Sequence, residues 1–392
     1  MFSSRSHDLT ADCPVVHVIT GLELGGAEAL LLELCREDRR RGRATVVVSL
    51  LSEGPMRRRF AEIGVEVVGL GMRRGVAAAT GPIRLARLIR RRRPRIVQGW
   101  LYHANLAALA ASWLAALWPR PKLVWSILGA VPDFARYPPR LRRAVGLGAR
   151  LSPLVDGILY NSRVALDEHA RFGFRARLSR FFPNGVDLAR FHSQPGLREA
   201  IRQDLGLPDD AVAVIAVGRS DPMKNWPGML AAAEAAGHNV WLIAVGDGTE
   251  RLPAGSRRLL LGRRDDMPAL YVASDIFMLA SDFGEGTSVA QIEAMACGLP
   301  VVVTDVGDNG LVAEGAGLVV PPRDAAALAR ALAELVADPA WRARAGQAAA
   351  ACASARFGAD RLYAGVAEFY DALLAGSSLS GRLPGAGWNQ PE

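Results

Sequence analysis

The sequence predicts an α/β protein with two domains in tandem, each built on a doubly wound parallel sheet. Three observations carry this prediction. Short β-branched apolar runs alternate with helix-period segments from end to end, the alternation breaks once near the middle, and 392 residues are too many for one small core. The strands read as continuous apolar runs, as expected when helices cover both faces of a sheet.

"VVHVIT" (15–20), "ATVVVSL" (44–50), "VEVVGL" (65–70), "RIVQGW" (95–100) and "KLVWSIL" (122–128) predict buried strands joined by Ala/Leu/Arg helices. "DGILYNS" (156–162) continues the series and "RFFPNGVD" (180–187) closes it. Residues 188–211 have no strand pattern and read as a connector. The alternation restarts with "VAVIAVGR" (212–219), "NVWLIAVGDG" (239–248), "RRLLLGRR" (257–264), "DIFMLAS" (275–281), "PVVVTDVG" (300–307) and "GLVVPP" (317–322). Residues 324–352 read as helical almost throughout. Leu362, Val366, Phe369, Tyr370 and Leu373 keep helical spacing within 358–376. The expected division is a first domain at 1–190, a second at 191–357, a helix at 358–376 and a disordered Ser/Gly/Pro-rich tail at 377–392.

Half the residues are hydrophobic and 22% are charged, an ordinary globular balance. The four cysteines are far apart with no CxxC, so they read as reduced thiols in a cytosolic protein. The six histidines are scattered, and no metal site is expected. The N-terminus lacks the apolar core of a signal peptide, and the longest apolar stretch, 106–118, is too short to span a bilayer. The expected location is therefore cytoplasmic.

Charge is uneven. Residues 1–190 hold 31 Lys+Arg against 15 Asp+Glu, a balance of +16, and residues 191–392 hold 16 against 24, a balance of −8, together the net +8. A cationic first half suggests an anionic partner, although arginine-rich surface helices can also be mere solvated faces. Nucleic acid is not expected, because the runs "REDRRRGR" and "RLIRRRRPR" lack interleaved aromatics. Segments 82–93 and 113–125 are the candidates for contact with a membrane surface.

Open α/β sheets bind ligands beyond the C-terminal ends of their strands. Arg219 and Lys224 follow "VAVIAVG" directly, and an arginine fork with a lysine point charge suits a diphosphate; the alternative is two surface cations. In "GEGTSVAQIEAMACGLPVV" (284–302), Ser288 and Gln291 fit a capping box, so a helix starts near Val289 with its N–H groups turned to an anion. Gly284 and Gly286 let the backbone approach a ligand on either side of Glu285. Glu293, on the second turn, can lean toward a hydroxyl bound beyond the first. A carboxylate there suits the two hydroxyls of a ribose; the alternative is a solvated loop residue and a polar helix position. Gly25–Gly26 precede a helix after the first strand, an anion pocket or a tight turn. His103, just past 95–100, is a substrate contact or a structural histidine. Asn161 and Ser162 are expected to cap the next helix, and Asn184–Gly185 to form a turn.

Taken in order, "GGAE" (25–28), "WLYHANL" (100–106), "NSRVALDEHA" (161–170), "FPNGVDLARF" (182–191), "VGRSDPMKN" (217–225), "VGDG" (245–248), "LLGRRDDMPALYVASD" (260–275) and "GEGTSVAQIEAMACGLPVVVTDVGDN" (284–309) resemble the family-four GT-B glycosyltransferases, group 1. These are retaining enzymes that use nucleotide-activated sugars, and the last segment contains their E-x(7)-E signature. The resemblance covers roughly residues 14–375 and implies two Rossmann-like domains facing a cleft. The first would take the acceptor and the second the nucleotide-sugar, with the C-terminal helix crossing back onto the first.

Residue by residue, the resemblance implies that Glu293 holds the ribose and Glu285 the donor-sugar hydroxyls, with Gly286, Thr287 and Ser288 near the sugar and phosphates. Arg219 and Lys224 would bind the diphosphate and neutralise it as it leaves. Arg263 and Arg264 would flank the base, Gly25 and Gly26 would form the first domain's wall of the donor pocket, and His103 would lie near the anomeric carbon. Both glutamates are then committed to hydroxyls, leaving no nucleophile of the glycosidase kind. Front-face displacement without a metal or other cofactor is the expected route. The expected partners are a nucleotide-sugar, with uracil as the base, a glycan or lipid-linked acceptor, and an anionic membrane at the inner face of the plasma membrane. The alternatives are a non-catalytic nucleotide-sugar-binding homologue, or a GT-B epimerase, which should carry more acid/base residues. The sequence departs from the family between "VGDG" and "LLGRR", where "TERLPAGSRRL" is short for the usual helix.

Overall fold

The structure, a computed structural model, describes residues 15–23, 25–52, 54–72 and 77–376. The expected disordered tail lies outside these. The first sheet has strands β1 (Val15–Ile19), β2 (Thr45–Ser49), β3 (Glu66–Gly69), β4 (Ile96–Trp100), β5 (Lys122–Ile127), β6 (Gly157–Tyr160) and β7 (Leu178–Phe181). They pair in the order β3-β2-β1-β4-β5-β6-β7, all parallel. The direction of winding reverses between β1 and β4, which makes their C-terminal ends the place for a ligand. The joining helices are α1 (Gly26–Arg40), α2 (Arg57–Glu62), α3 (Ala77–Arg92), α4 (Leu101–Leu114), α5 (Pro139–Leu151) and α6 (Arg163–Phe172). Helices α3, α4 and α5 pack side by side on one face of the sheet.

The expected strand 180–187 belongs to the sheet only as far as Phe181. Pro183 has no N–H to donate, and the chain leaves the ladder there. The connector is also not wholly irregular, for it contains α7 (Pro195–Asp204), with Pro195 in the first turn where its missing N–H costs nothing.

The second sheet has β8 (Val212–Val217), β9 (Val240–Val245), β10 (Arg258–Gly262), β11 (Ile276–Leu279), β12 (Val301–Thr304) and β13 (Gly317–Val320), in the parallel order β10-β9-β8-β11-β12-β13. Its helices are α8 (Trp226–Ala235), α9 (Met267–Ala273), α10 (Val289–Ala296), α11 (Asn309–Val312), α12 (Ala325–Ala337) and α13 (Pro339–Arg356). A single 3-10 turn, Thr249–Arg251, stands between β9 and β10 in place of a helix. The long helical stretch 324–352 breaks at Asp338, whose side chain accepts the Trp341 N–H at 2.8 Å while Pro339 opens the new helix.

The last helix, α14 (Ala359–Ala375), returns to the first domain and packs on α1. Tyr363, Phe369, Tyr370 and Leu373 are buried there with Leu31 and Phe182. A Cβ at Gly157 would lie 2.6 Å from the Phe369 ring, so the helix reaches the sheet itself. The Arg41 guanidinium sits 4.2 Å above the Tyr363 ring and the Tyr370 hydroxyl donates to Gln98, tying the helix to β4.

Candidate active site

The two domains meet along the loops that follow their strands. Behind β11, the Glu285 carbonyl accepts the Ala130 N–H at 3.1 Å, and the Thr287 carbonyl accepts from Asn184 Nδ2. Thr287 Oγ1 donates to the Asn161 carbonyl at 2.6 Å. Asp308 accepts the Arg163 and Val164 N–H groups at 2.8 and 3.2 Å, so a carboxylate of one domain meets the positive end of α6 in the other. Glycine is required at this seam. Gly129 has φ +103°, and a Cβ there would lie 2.8 Å from the Gly284 oxygen; a Cβ on Gly286 would lie 2.4 Å from Asn161 Oδ1. The space beside Gly286 is thus filled by the partner domain. A second line of contact joins Arg59 to Asp265, Arg190 to the Asp265 carbonyl and Arg263 to Glu23.

Arg219 stands two residues after β8 and Lys224 ends the 3-10 turn Pro222–Lys224, which Asp221 caps by accepting the Met223 N–H. Lys224 Nζ reaches Glu285 Oε1 at 2.5 Å, and Ser281 Oγ donates to the same oxygen. Glu285 is 7% exposed, so it is a buried, paired carboxylate and not a solvated loop residue. Arg219 faces Asp221 Oδ2 at 3.6 Å with its side chain 65% exposed. It also lies near Glu28 of α1, whose carboxyl burial pushes up while Arg219 opposes the rise.

Helix α10 starts at Val289 with Ser288 as its cap, Oγ accepting the Gln291 N–H at 3.4 Å. The expected capping box is only half formed, because the Gln291 side chain donates to the Asn309 carbonyl instead. Glu293 lies partly buried on the second turn and accepts the Tyr271 hydroxyl at 2.9 Å. Burial pushes its carboxyl up to about 7, opposed by the Tyr271 bond and Arg190 and reinforced by Glu33 of α1. One helix therefore passes both ends of the set: Glu28 is near Arg219 and Glu33 near Glu293. Five residues of helix give an axial rise of about 7.5 Å between them.

The remaining sequence candidates fall at the margins. Gly25 caps α1 and Gly26 opens it, with nothing within 4 Å of a Cβ at Gly26. Arg263 bonds Asp247 and reaches Glu23, while Arg264 bonds Asp266, so both side chains are engaged with acids at the rim. His103 stands exposed on the first turn of α4, and its side chain makes no hydrogen bond among the described residues. Partial burial and Arg140 hold its pKa below the usual value. Ser162 does cap α6, but Asn161 instead accepts the Gly129 N–H at 2.8 Å. An apolar cavity of about 30 Å³ between α1, the ends of β4–β6 and α14 has room for only a water or two, and Arg219, Lys224, Glu285 and Glu293 do not line it.

Several residues of the arrangement escaped the sequence reading: Tyr271 under Glu293, Ser281 beside Glu285, and Asp221 and Asp308 at the loop bases. Asp221, Tyr271 and Asp308 lie within the quoted segments 217–225, 260–275 and 284–309, but spacing gave none of them a role, and Ser281 lies outside those segments.

The family described as Glycosyltransferase Family 4 matches residues 24–190, and that described as Glycosyl transferases group 1 matches residues 211–338. A D-inositol 3-phosphate glycosyltransferase of Streptomyces bingchenggensis is 32% identical over 248 residues, 56% of this chain and 54% of that one. The UDP-Gal:alpha-D-GlcNAc-diphosphoundecaprenol alpha-1,3-galactosyltransferase of Escherichia coli is 35% identical over 149 residues, covering 33% and 38%. The chain spans about half the length of the curated relatives it matches. In fold it is similar to Anabaena Alr3699/HepE crystallised with UDP-glucose, with a TM-score of 0.80 at 23% identity over 91% of this chain and 99% of that one. Two family descriptions in chain order, on two parallel sheets that face each other through their post-strand loops, place this chain among the family-four, group 1 glycosyltransferases with the GT-B fold.

Proposed function

We propose that the protein moves a hexose from a nucleoside-diphosphate donor to a glycan or lipid-linked acceptor, with retention of anomeric configuration. The observation that carries this reading is the buried Lys224–Glu285 pair on the loops that also hold Arg219, with Glu293 near Glu33 farther along α1. Breaking the bond from the anomeric carbon to phosphate puts negative charge on the diphosphate. Arg219, Lys224 and the N-terminus of α10 are preorganised to receive it. Gly25 and Gly26 face the donor from α1, with Gly286, Thr287 and Ser288 beneath it and Arg263 and Arg264 at the base. Glu285 Oε1 already accepts two donors, which favours a hydroxyl-binding role over attack on carbon. The acceptor oxygen then bonds the anomeric carbon on the face the diphosphate leaves, and its proton passes to the departing phosphate oxygen. Two cations and a helix end do the neutralising that a metal does elsewhere, so no cofactor enters the scheme.

The similarity to a structure holding UDP-glucose supports a UDP-sugar. On the acceptor side, His103 is flanked by Arg140, with Arg142 and Arg143 following, a setting for an anionic acceptor. The outer side of α3, α4 and α5 supports contact with an anionic membrane. Residues 77–155 hold 14 Lys+Arg and one acid, Asp133. Trp113 and Trp118 on this side are 49% and 89% exposed, and Ile83, Leu114 and Leu147 are exposed with them. No helix among the described residues is long and apolar enough to cross a membrane.

The test is release of nucleoside diphosphate from a panel of UDP-, GDP- and ADP-hexoses, with and without EDTA, and product anomeric configuration by NMR. The expected result is turnover of one nucleotide class, unaffected by EDTA, with an α-linked donor giving an α-linked product. Binding without turnover of any donor, with acceptors supplied, refutes the transferase reading, and an inverted product refutes the front-face route.

A further inference from the structure

Tyr137 belongs to the first domain, on the segment between β5 and α5, yet its hydroxyl is bonded in the second. It donates to Asp221 Oδ1 at 2.9 Å. The same oxygen accepts the Met223 N–H at 3.0 Å, while Oδ2 faces Arg219 at 3.6 Å. Asp221 thus serves both diphosphate cations, Arg219 directly and Lys224 through the turn it caps. Tyr137 is itself held in place. Its ring meets Phe283 edge-on with centroids 6.1 Å apart, and the Arg136 guanidinium lies 5.5 Å from the same phenylalanine ring. Burial and the Asp221 carboxylate keep the hydroxyl protonated, so toward Asp221 it acts as a donor.

We infer that Tyr137 is a positioning residue for the diphosphate cations: by donating to Asp221 Oδ1 across the domain boundary, it leaves Oδ2 to hold Arg219 in place. This rests on the transferase reading above. Without the tyrosine hydroxyl, Asp221 loses one donor and competes harder for Arg219, drawing it away from a diphosphate. The exposed Arg219 side chain has the freedom to make that move.

The test is calorimetric binding of UDP and, separately, GDP to the full chain in four forms: wild type, Tyr137→Phe, Asp221→Asn and the double variant. Tyr137→Phe is expected to weaken binding about tenfold, the usual effect of losing a hydrogen bond to a charged group. In the Asp221→Asn background the same change should be silent, within about twofold. A role in packing alone would lower the melting temperature and leave the two effects additive. Should Asp221→Asn fail to fold, Arg219→Gln takes its place, since Tyr137 acts through Arg219. Equal weakening by Tyr137→Phe in both backgrounds, or none in the wild-type background, overturns the inference. Failure of the wild type to bind either nucleotide removes the functional reading and the inference together, whereas additive variants of a binding protein remove only the inference.

Discussion

Glu293 should make donor binding depend on pH between 8 and 6. Burial pushes its carboxyl up to about 7, against the opposing Tyr271 hydrogen bond and Arg190. Such a group is about half protonated at pH 7 and about ten to one protonated at pH 6. If ribose hydroxyls donate to it, the bound form is the carboxylate and the proton must leave on binding. Affinity for a nucleotide-sugar should then fall about tenfold from pH 8 to pH 6, close to 1.4 kcal/mol. Nucleotide-sugars are the right probe because their diphosphate diester has no group titrating in this range. The assay is calorimetry at pH 6, 7 and 8 with UDP-glucose or GDP-mannose, in buffers of different ionisation enthalpy, so that proton release is counted directly. Glu293→Gln should bind more weakly at pH 8 and lose the slope. A flat wild-type profile, or the same slope in the variant, refutes the ribose assignment. The sign for stability is opposite. A carboxyl raised from 4.5 to about 7 binds its proton more tightly in the folded state, so its contribution is fully present below about pH 4.5 and is lost as pH rises through 7.

Lys224→Ala should lower kcat by at least about 100-fold, as removal of a preorganised charge does, and should lower the melting temperature by stranding Glu285. Adding Glu285→Gln should restore the melting temperature without restoring turnover; wild-type kcat in either variant removes the pair from the mechanism. Gly26→Ala meets open space, so stability should hold while donor KM rises several-fold if Gly26 walls the pocket. Gly286→Ala instead drives a Cβ to 2.4 Å from Asn161 and should lower both melting temperature and kcat. Co-sedimentation with phosphatidylglycerol vesicles should capture the protein, weaken with salt, and be lost in an Arg87→Glu/Arg90→Glu/Arg91→Glu/Trp118→Ala variant. Wild type that stays in solution with those vesicles refutes the membrane contact.

Much of the strand framework was legible because parallel strands buried on both faces need unbroken apolar runs, and such runs stand out between helices rich in alanine, leucine and arginine. The positions of Arg219, Lys224 and Glu285 were legible for a related reason: each lies in a loop after a strand, and chain topology brings strand ends together, while Glu293 followed from the helix start at Ser288. Boundaries were less legible where one residue decides them, as Pro183 does for β7 and Asp338 for the break between α12 and α13.

Partnership was not legible at all. Tyr271 is 22 residues from Glu293, Tyr137 is 84 from Asp221, and Asn161 is 126 from Thr287. Local spacing says nothing about such pairs: Tyr271 meets Glu293 only once the second domain has folded, and the other two contacts form only where the two domains meet. The chain by itself determined the two-sheet architecture, the helix that crosses back and the loops where chemistry can occur, since periodicity and turn residues act over a few neighbours. Only the tertiary structure decided that Glu285 is neutralised by Lys224 within one domain, that Gly286 is filled by Asn161 from the other, and that Glu293 titrates near 7. Burial and long-range pairing set those properties, and both belong to the folded assembly of domains.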